Sequence, residues 1–193
     1  ELSDMYTEYR KDRPVIGINE EGQDWTLPEV PVKDYSEAML TEAQEFSDTA
    51  LIVIGRSGGE GSDLPHDMGA VMDGSWNEPG TKYLNAKYEN NSDEYADFED
   101  GQTYLELSRT ERDLVEMVCS RFDDVIVVYN GANTLEMGWV DEYEQIDALL
   151  SVPGAGATGF NALGSILAGD VNPSGKTADT WVYDVTVTPY FNN

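Results

Sequence analysis

Apolar positions along this 193-residue chain cluster into short runs separated by long polar stretches. The runs are rich in β-branched side chains, as in Leu51 to Ile54 and Val125 to Tyr129. Short, continuous apolar runs of this kind are typical of strands buried on both faces of a parallel sheet. We therefore predict strands at 50–55, 125–129 and 146–151.

Other segments carry their apolar residues at helical spacing. Ser36 can cap one such segment, and Ser108 with Glu111 forms a capping box at the start of another. The predicted helices are 1–12, 36–46, 109–121 and 157–168. We expect extended chain near 15–18 and 178–187, and a surface loop over 19–34.

The order of these elements predicts the fold class. Strands alternating with helices favour a mostly parallel sheet with helices on both faces, a three-layer α/β/α sandwich. The length suits one domain, 1–193, and is short for two. Residues 56–103 contain few apolar side chains. A structureless span of this length usually marks a functional insertion, and we expect one at about 64–103.

Charge narrows the classes of partner. The formal net charge is -27, with 11 basic residues among 38 acidic ones. Binding to nucleic acid or to an anionic membrane surface needs clustered lysine and arginine, so we expect neither partner. No apolar run is long enough to span a membrane, and no signal peptide is visible at the first residues. The single cysteine, Cys119, excludes an internal disulfide.

The most informative stretch runs from Ala50 to Asp63. A buried strand leads into a glycine-rich loop that carries the carboxylates of Glu60 and Asp63. In an α/β sheet, ligands bind at the loops that follow the carboxyl ends of the strands. Glycines on both sides of Glu60 permit close approach of a substrate, which suits a general acid/base. The sequence of the loop alone also fits a second interpretation, in which it is a solvent-exposed acidic turn without a catalytic role.

Five segments, in this order along the chain, resemble the C-terminal α/β-sandwich domain of family 3 glycoside hydrolases, the β-glucosidase-type enzymes. The Gly-Glu-Gly-x-Asp motif and the signature Gly-Asp-Val-Asn-Pro-Ser-Gly-Lys are the first and the last of them. The segments are 59–63, 124–130, 133–141, 153–159 and 167–177.

This resemblance implies a retaining β-glycosidase, which uses one carboxyl group as nucleophile and a second as acid/base. In the family, the nucleophile belongs to a separate barrel domain of the same enzyme and the sandwich domain contributes the acid/base. The implied acid/base is Glu60, with Asp63 as the alternative. Arg56 and Ser57 are expected to bind sugar hydroxyls or to orient Glu60, and Asp63 and His66 to lie at the sugar site. Leu64 departs from the many relatives that carry a basic residue after this aspartate, which bears on the preference for the leaving group.

Further expectations follow from the same resemblance. The substrate is a β-linked glucoside or oligosaccharide, no cofactor takes part, and the isolated chain is inactive because one carboxyl group cannot run a double displacement. A domain of this kind normally begins with an earlier strand and glycine-rich loop, so we expect that first strand region to be absent. The sequence predicts no oligomeric state.

Two other functions remain open. The first is a non-catalytic carbohydrate-binding or interface domain in which Glu60 is incidental. The second is a nucleotide-binding oxidoreductase, since Gly154 to Gly159 fits G-x-G-x-x-G and Asp179 follows at a suitable distance. That fingerprint normally follows the first strand of its fold, so we interpret these glycines as permitting close packing of a helix on the sheet. His66 is the only histidine, and we predict no metal site.

Overall fold

The computed structural model describes residues 2–13, 18–19, 22–58, 64–76, 86–189 and 191. The helices are α1 (Leu2–Lys11), α2 (Glu37–Phe46), α3 (Met68–Asp73), α4 (Arg109–Cys119) and α5 (Asn161–Leu167). The strands are β1 (Ile18–Asn19), β2 (Gly22–Asp24), β3 (Thr49–Gly55), β4 (Ala86–Lys87), β5 (Asp124–Asn130) and β6 (Ile146–Ser151).

The main sheet is parallel and has the order β3-β5-β6. Its strands confirm the three predicted ones, and with the flanking helices they confirm the α/β class. Thr49 pairs with Asp124 and Gly55 with Asn130, so β3 and β5 are in register over their whole length. The loops that follow these two strands therefore start side by side at the carboxyl edge of the sheet.

One face of the sheet packs against α4. Ile52 and Ile54 of β3 are buried with Val127 of β5 and with Val115 and Cys119 of α4. The opposite face of β3 is open among the described residues, since Leu51 is 52% exposed and Val53 is 57% exposed.

A second core lies beside the main sheet and contains part of the presumed insertion. A small sheet of order β1-β2-β4 borders it, and its buried side chains include Trp25, Met68, Phe98 and Tyr104. The expectation of a structureless span over 64–103 was thus wrong for its described part, which contains α3 and β4. The surface-loop prediction for 19–34 was also wrong, because Trp25 and Val30 are buried there. Sparse apolar residues from distant segments share one core, which local periodicity does not reveal.

The predicted helices at 1–12, 36–46 and 109–121 are confirmed as α1, α2 and α4, with Ser36 and the capping box of Ser108 at the predicted starts.

Helix α5 is shorter than expected. Gly154 and Gly156 before it have φ angles of 32° and 60°, and no atom lies within 4 Å of a Cβ built on either. These two glycines serve a left-handed turn, so their interpretation as close helix–sheet packing was wrong. The expected extended tail, 178–187, forms no strand and ends in a 3₁₀ turn at Val185–Val187.

Candidate functional site at the carboxyl edge of the sheet

The loop that follows β3 starts against the end of β5. The backbone N–H of Arg56 donates to the carbonyl of Asn130 at 3.0 Å, which extends the ladder by one residue. A Cβ built on Gly58 would lie 2.5 Å from Nδ2 of Asn133. Contact this close excludes a side chain unless Asn133 moves, so the glycine lets the backbone at position 58 lie directly against Asn133.

Arg56, the first residue after β3, is buried. Its Nε donates to the carbonyl of Tyr104 at 2.9 Å, and its two terminal nitrogens donate to the carbonyls of Gly55 and Glu106 at 2.8 and 2.7 Å. The same nitrogens donate to Oε1 and Oε2 of Glu111 at 2.5 and 2.7 Å. These contacts use all five N–H groups of the guanidinium. They leave no N–H donor of Arg56 for a sugar hydroxyl, whereas its other predicted role, the orientation of Glu60, stays a prediction.

Glu111 connects the site to α4. Its Oε2 accepts from the backbone N–H of Ser108 at 2.8 Å, and the Ser108 hydroxyl accepts from the backbone N–H of Glu111 at 3.2 Å. The capping carboxylate is therefore also the partner of Arg56. Burial lowers the pKa of Arg56, but the charge and hydrogen bonds of Glu111 outweigh it and hold that pKa above its ordinary value. From the sequence we predicted Glu111 only as a helix cap. Its partner Arg56 lies in a distant segment, and no pattern of neighbouring residues links the two.

Tyr104 holds the chain on both sides of the acidic loop. Before the loop, the backbone N–H of Ser57 donates to the Tyr104 hydroxyl at 3.3 Å. After the loop, the backbone N–H of Tyr104 donates to the carbonyl of Pro65 at 3.1 Å. The Tyr104 ring packs edge-on against Trp25, with centroids 4.9 Å apart. The second core therefore anchors both ends of the loop, a role that sequence reasoning missed.

The remaining predicted site residues divide into two groups. Glu60 and Asp63 lie outside the described residues, so their roles stay predictions. Ser57 is half-buried next to Arg56, whereas His66 is exposed and its ring lies edge-on to Trp76 at 4.7 Å. Among the described residues, no hydrogen bond or ring contact joins His66 to Arg56 or Ser57.

The described ranges contain neither a cluster of metal ligands nor a helix that could span a membrane. Within these ranges, no three side chains of His, Cys, Asp or Glu are grouped so that they could hold a metal ion. None of the helices found in the same ranges is long and apolar enough to cross a membrane.

Comparisons with known proteins match nearly the whole chain. The family model described as the glycosyl hydrolase family 3 C-terminal domain matches residues 3–193. A beta-glucosidase of Ruminococcus albus is 27% identical over 189 residues, which cover 97% of this chain and 16% of that protein. Beta-glucosidase A of Butyrivibrio fibrisolvens is 33% identical over 145 residues, covering 75% of this chain and 16% of that protein. The chain thus spans about a sixth of the length of these two relatives.

Proposed function

Because this chain belongs to glycosyl hydrolase family 3, as its match to the C-terminal domain of that family shows, we propose that it supplies the acid/base group of a retaining β-glucosidase. The group is Glu60, and the substrate is a β-linked glucoside or oligosaccharide. The observation that carries the proposal is the place where the acidic loop begins. β3 ends at Gly55, beside Asn130 at the end of β5, and the chain enters the loop at Gly58 on the edge where α/β sheets bind ligands.

The reaction takes two displacements. A carboxylate on another domain of the enzyme attacks the anomeric carbon, and the bond from that carbon to the leaving oxygen breaks as Glu60 gives that oxygen its proton. In the second step, Glu60 takes a proton from water, the water oxygen attacks the same carbon, and the nucleophilic carboxylate leaves. Proton and charge balance over the cycle, so no cofactor is needed.

The described contacts support this role through positioning. Acid/base catalysis requires the carboxyl group within hydrogen-bond reach of the leaving oxygen. The ion pair of Arg56 with Glu111 and the two anchors on Tyr104 fix the chain where it enters and leaves the loop. Glycines flank Glu60 in the sequence, and residues without a Cβ permit close approach of a substrate.

The experiment compares Glu60→Gln with the unchanged enzyme that carries this domain, using an aryl β-glucoside with a good leaving group. General acid/base groups contribute about 10²–10⁴-fold to turnover. We expect turnover with this substrate to fall within that range and to be partly restored by azide, which attacks the glycosyl-enzyme without needing a base. Glu45→Gln, on the exposed side of α2, is the matched control and should retain turnover.

Two outcomes would contradict the proposal. If Glu60→Gln retained full turnover, Glu60 would be incidental and the domain a carbohydrate-binding or interface module. If the isolated chain hydrolysed the aryl glucoside and Glu60→Gln abolished that activity, the nucleophile would lie within these residues. We expect the isolated chain to be inactive.

A further inference from the structure

A cavity of about 640 Å³ opens beside β6, at the other edge of the main sheet from the acidic loop. That loop follows β3, and β3 and β6 are the two outer strands of the order β3-β5-β6. The walls of the cavity come from three parts of the chain: Leu149 of β6, residues between 137 and 141, and the segment 177–183. Neither Arg56 nor Ser57 is among its described lining residues. The cavity therefore needs an explanation of its own.

The floor of the cavity is apolar. It consists of Met137, Val140, Leu149 and Trp181, which also pack on the buried core of the main sheet. Each of these side chains is half-buried. Pockets for small organic ligands typically measure about 300–1,000 Å³ and combine an apolar lining with a few polar groups. The size and the floor of this cavity therefore suit one small organic molecule.

Two aromatic rings line this cavity. The ring of Trp181 lies edge-on to Tyr129, with the centroids 5.3 Å apart. Tyr183 is 68% exposed, and its hydroxyl donates to Oδ2 of Asp141 at 2.9 Å. The face of an aromatic ring carries partial negative charge and attracts an ammonium group within about 6 Å of the ring centre. The two rings therefore offer a surface for an organic cation.

The segment that carries these rings is fixed against the chain that follows β5. The backbone N–H of Met137 donates to the carbonyl of Val182 at 3.0 Å. A Cβ built on Gly138 would lie 2.9 Å from the carbonyl oxygen of Tyr183, so a side chain there would force the two segments apart. Because the rings are held in place before a ligand arrives, binding costs less conformational entropy.

Charge decides which kind of molecule fits. Asp141 and Asp179 are the charged residues of the described lining, which contains neither lysine nor arginine. The side chain of Asp179 is exposed and makes no hydrogen bond or ion pair among the described residues. The net charge of the whole chain, -27, adds a field of the same sign. The cavity therefore disfavours an anion and favours a cation.

We propose that this cavity binds a small organic cation, an ammonium group carried on an apolar alkyl or aryl body. The apolar body lies on the floor, and the ammonium group lies against the two rings, with Asp141 and Asp179 supplying the opposite charge. This site goes beyond the proposed function and does not depend on the role of Glu60, since the acidic loop contributes none of its described walls.

The first test maps binding on the chain itself. Benzyltrimethylammonium chloride is titrated into isotopically labelled protein in about 0.15 M sodium chloride, which screens non-specific attraction to the acidic surface. Benzyl alcohol, which is neutral, and phenylacetate, which is an anion, are titrated in parallel. We expect a Kd on the order of 0.1–1 mM for the cation and at least about tenfold weaker binding of the other two compounds.

The position of the bound cation is measured in the same titration. The indole N–H signal of Trp181 and the amide signals of 178–183 should shift and saturate together, whereas the indole signal of the fully buried Trp25 should not move. Shifts spread over acidic surface residues without saturation, shifts confined to residues outside the lining, or equal binding of benzyl alcohol would each overturn the proposal.

Two substitutions at one position test the aromatic contact. Tyr183→Leu removes the ring, whereas Tyr183→Phe keeps the ring and removes only the hydrogen bond to Asp141. Both variants should fold, because Tyr183 is mostly exposed. We expect the cation to bind about threefold to tenfold more weakly to Tyr183→Leu and within about twofold of the parent to Tyr183→Phe. Equal binding by all three proteins, or equal losses in the two variants, would overturn the proposal.

A matched pair of substitutions tests the opposite charge. Asp179→Asn removes a carboxylate from the lining, and Asp147→Asn removes an exposed carboxylate of β6 that is outside it. Each change lowers the net negative charge by the same amount. We expect Asp179→Asn to weaken binding of the cation about twofold to fivefold and Asp147→Asn to leave it unchanged. Equal effects in the two variants would show that the cation responds to the total charge of the protein, which overturns the site.

Discussion

The pKa of an individual carboxyl group in this protein depends on the elements packed around it. Burial raises the pKa of Glu29 to about 7, and the hydrogen bond from Tyr6 offsets only part of that rise. Tyr35 donates to the Tyr6 hydroxyl at 2.5 Å, and Glu111 adds a repulsive charge that raises the same pKa. The folded protein therefore binds a proton at Glu29 more tightly than the unfolded chain does.

This shift predicts the direction of a pH effect on stability. Between the ordinary value of 4.5 and about 7, the folded state holds more protons than the unfolded state, so the free energy of unfolding falls as pH rises. The loss through this group is on the order of 3 kcal/mol. Glu29→Gln removes the titration and retains an acceptor for Tyr6. Urea unfolding at acidic and at mildly alkaline pH should show the variant gaining stability relative to the parent as pH rises. A difference that does not change with pH would contradict this assignment.

The pair of Arg56 and Glu111 supports a second prediction at the residue scale. Their side chains are 0% and 4% exposed, so removing one partner leaves a buried charge. Breaking such a pair costs about 3–5 kcal/mol. Glu111→Gln keeps an acceptor for the backbone of Ser108 and removes only the charge, and we expect a loss of this size by chemical denaturation. Ser108→Ala, which removes the cap alone, should cost about 1 kcal/mol. Similar losses in the two variants would show that the cap, not the ion pair, is what Glu111 contributes.

Helices in this fold differ in how closely they meet their neighbours. In α3, a Cβ built on Gly69 would lie 2.7 Å from both Cα and Oδ1 of Asp100. In α5, a Cβ built on Gly164 meets nothing within 4 Å. The first glycine is required by close packing of α3 on the turn near residue 100. The second weakens its helix without any packing benefit.

The two glycines form a matched pair for substitution by alanine. Gly69→Ala forces the turn at Asp100 to move, and we expect a loss of about 1–3 kcal/mol. Gly164→Ala lowers the entropy of the unfolded chain and should stabilise by about 0.5–1 kcal/mol. Thermal unfolding of both variants measures these opposite changes in stability. A gain in stability from Gly69→Ala would mean that α3 is not in close contact with the 98–101 segment.

The whole molecule carries a net charge of -27, and its described ion pairs are mostly at the surface. Self-repulsion of this size destabilises a compact state, and salt screens it. Raising sodium chloride from about 0.01 M to about 0.15 M shortens the Debye length from about 30 Å to about 8 Å. We expect the Tm to rise by several degrees, equally with potassium chloride. A flat or falling Tm would show that surface ion pairs outweigh repulsion.

Elements with strong local signals could be predicted from the sequence. The apolar run that predicts β3 and the capping box of Ser108 and Glu111 are each contained within a few adjacent residues. Both elements are confirmed. The small sheet and α3 could not be predicted in this way. Their apolar residues are sparse, and Trp25 is buried against Tyr104 through a contact between distant segments.

The sequence by itself determined the parallel sheet, its principal helices and the family motifs, because these depend on periodicity and on residues adjacent in the chain. Only the tertiary structure decided that Glu111 and backbone carbonyl groups use all five N–H donors of Arg56. It also decided that Tyr104 anchors both ends of the acidic loop. It likewise placed Trp181 and Tyr183 at the cavity beside β6. The physical reason is that hydrogen bonding and burial depend on distances in space, which segments far apart in the chain acquire only when the cores assemble.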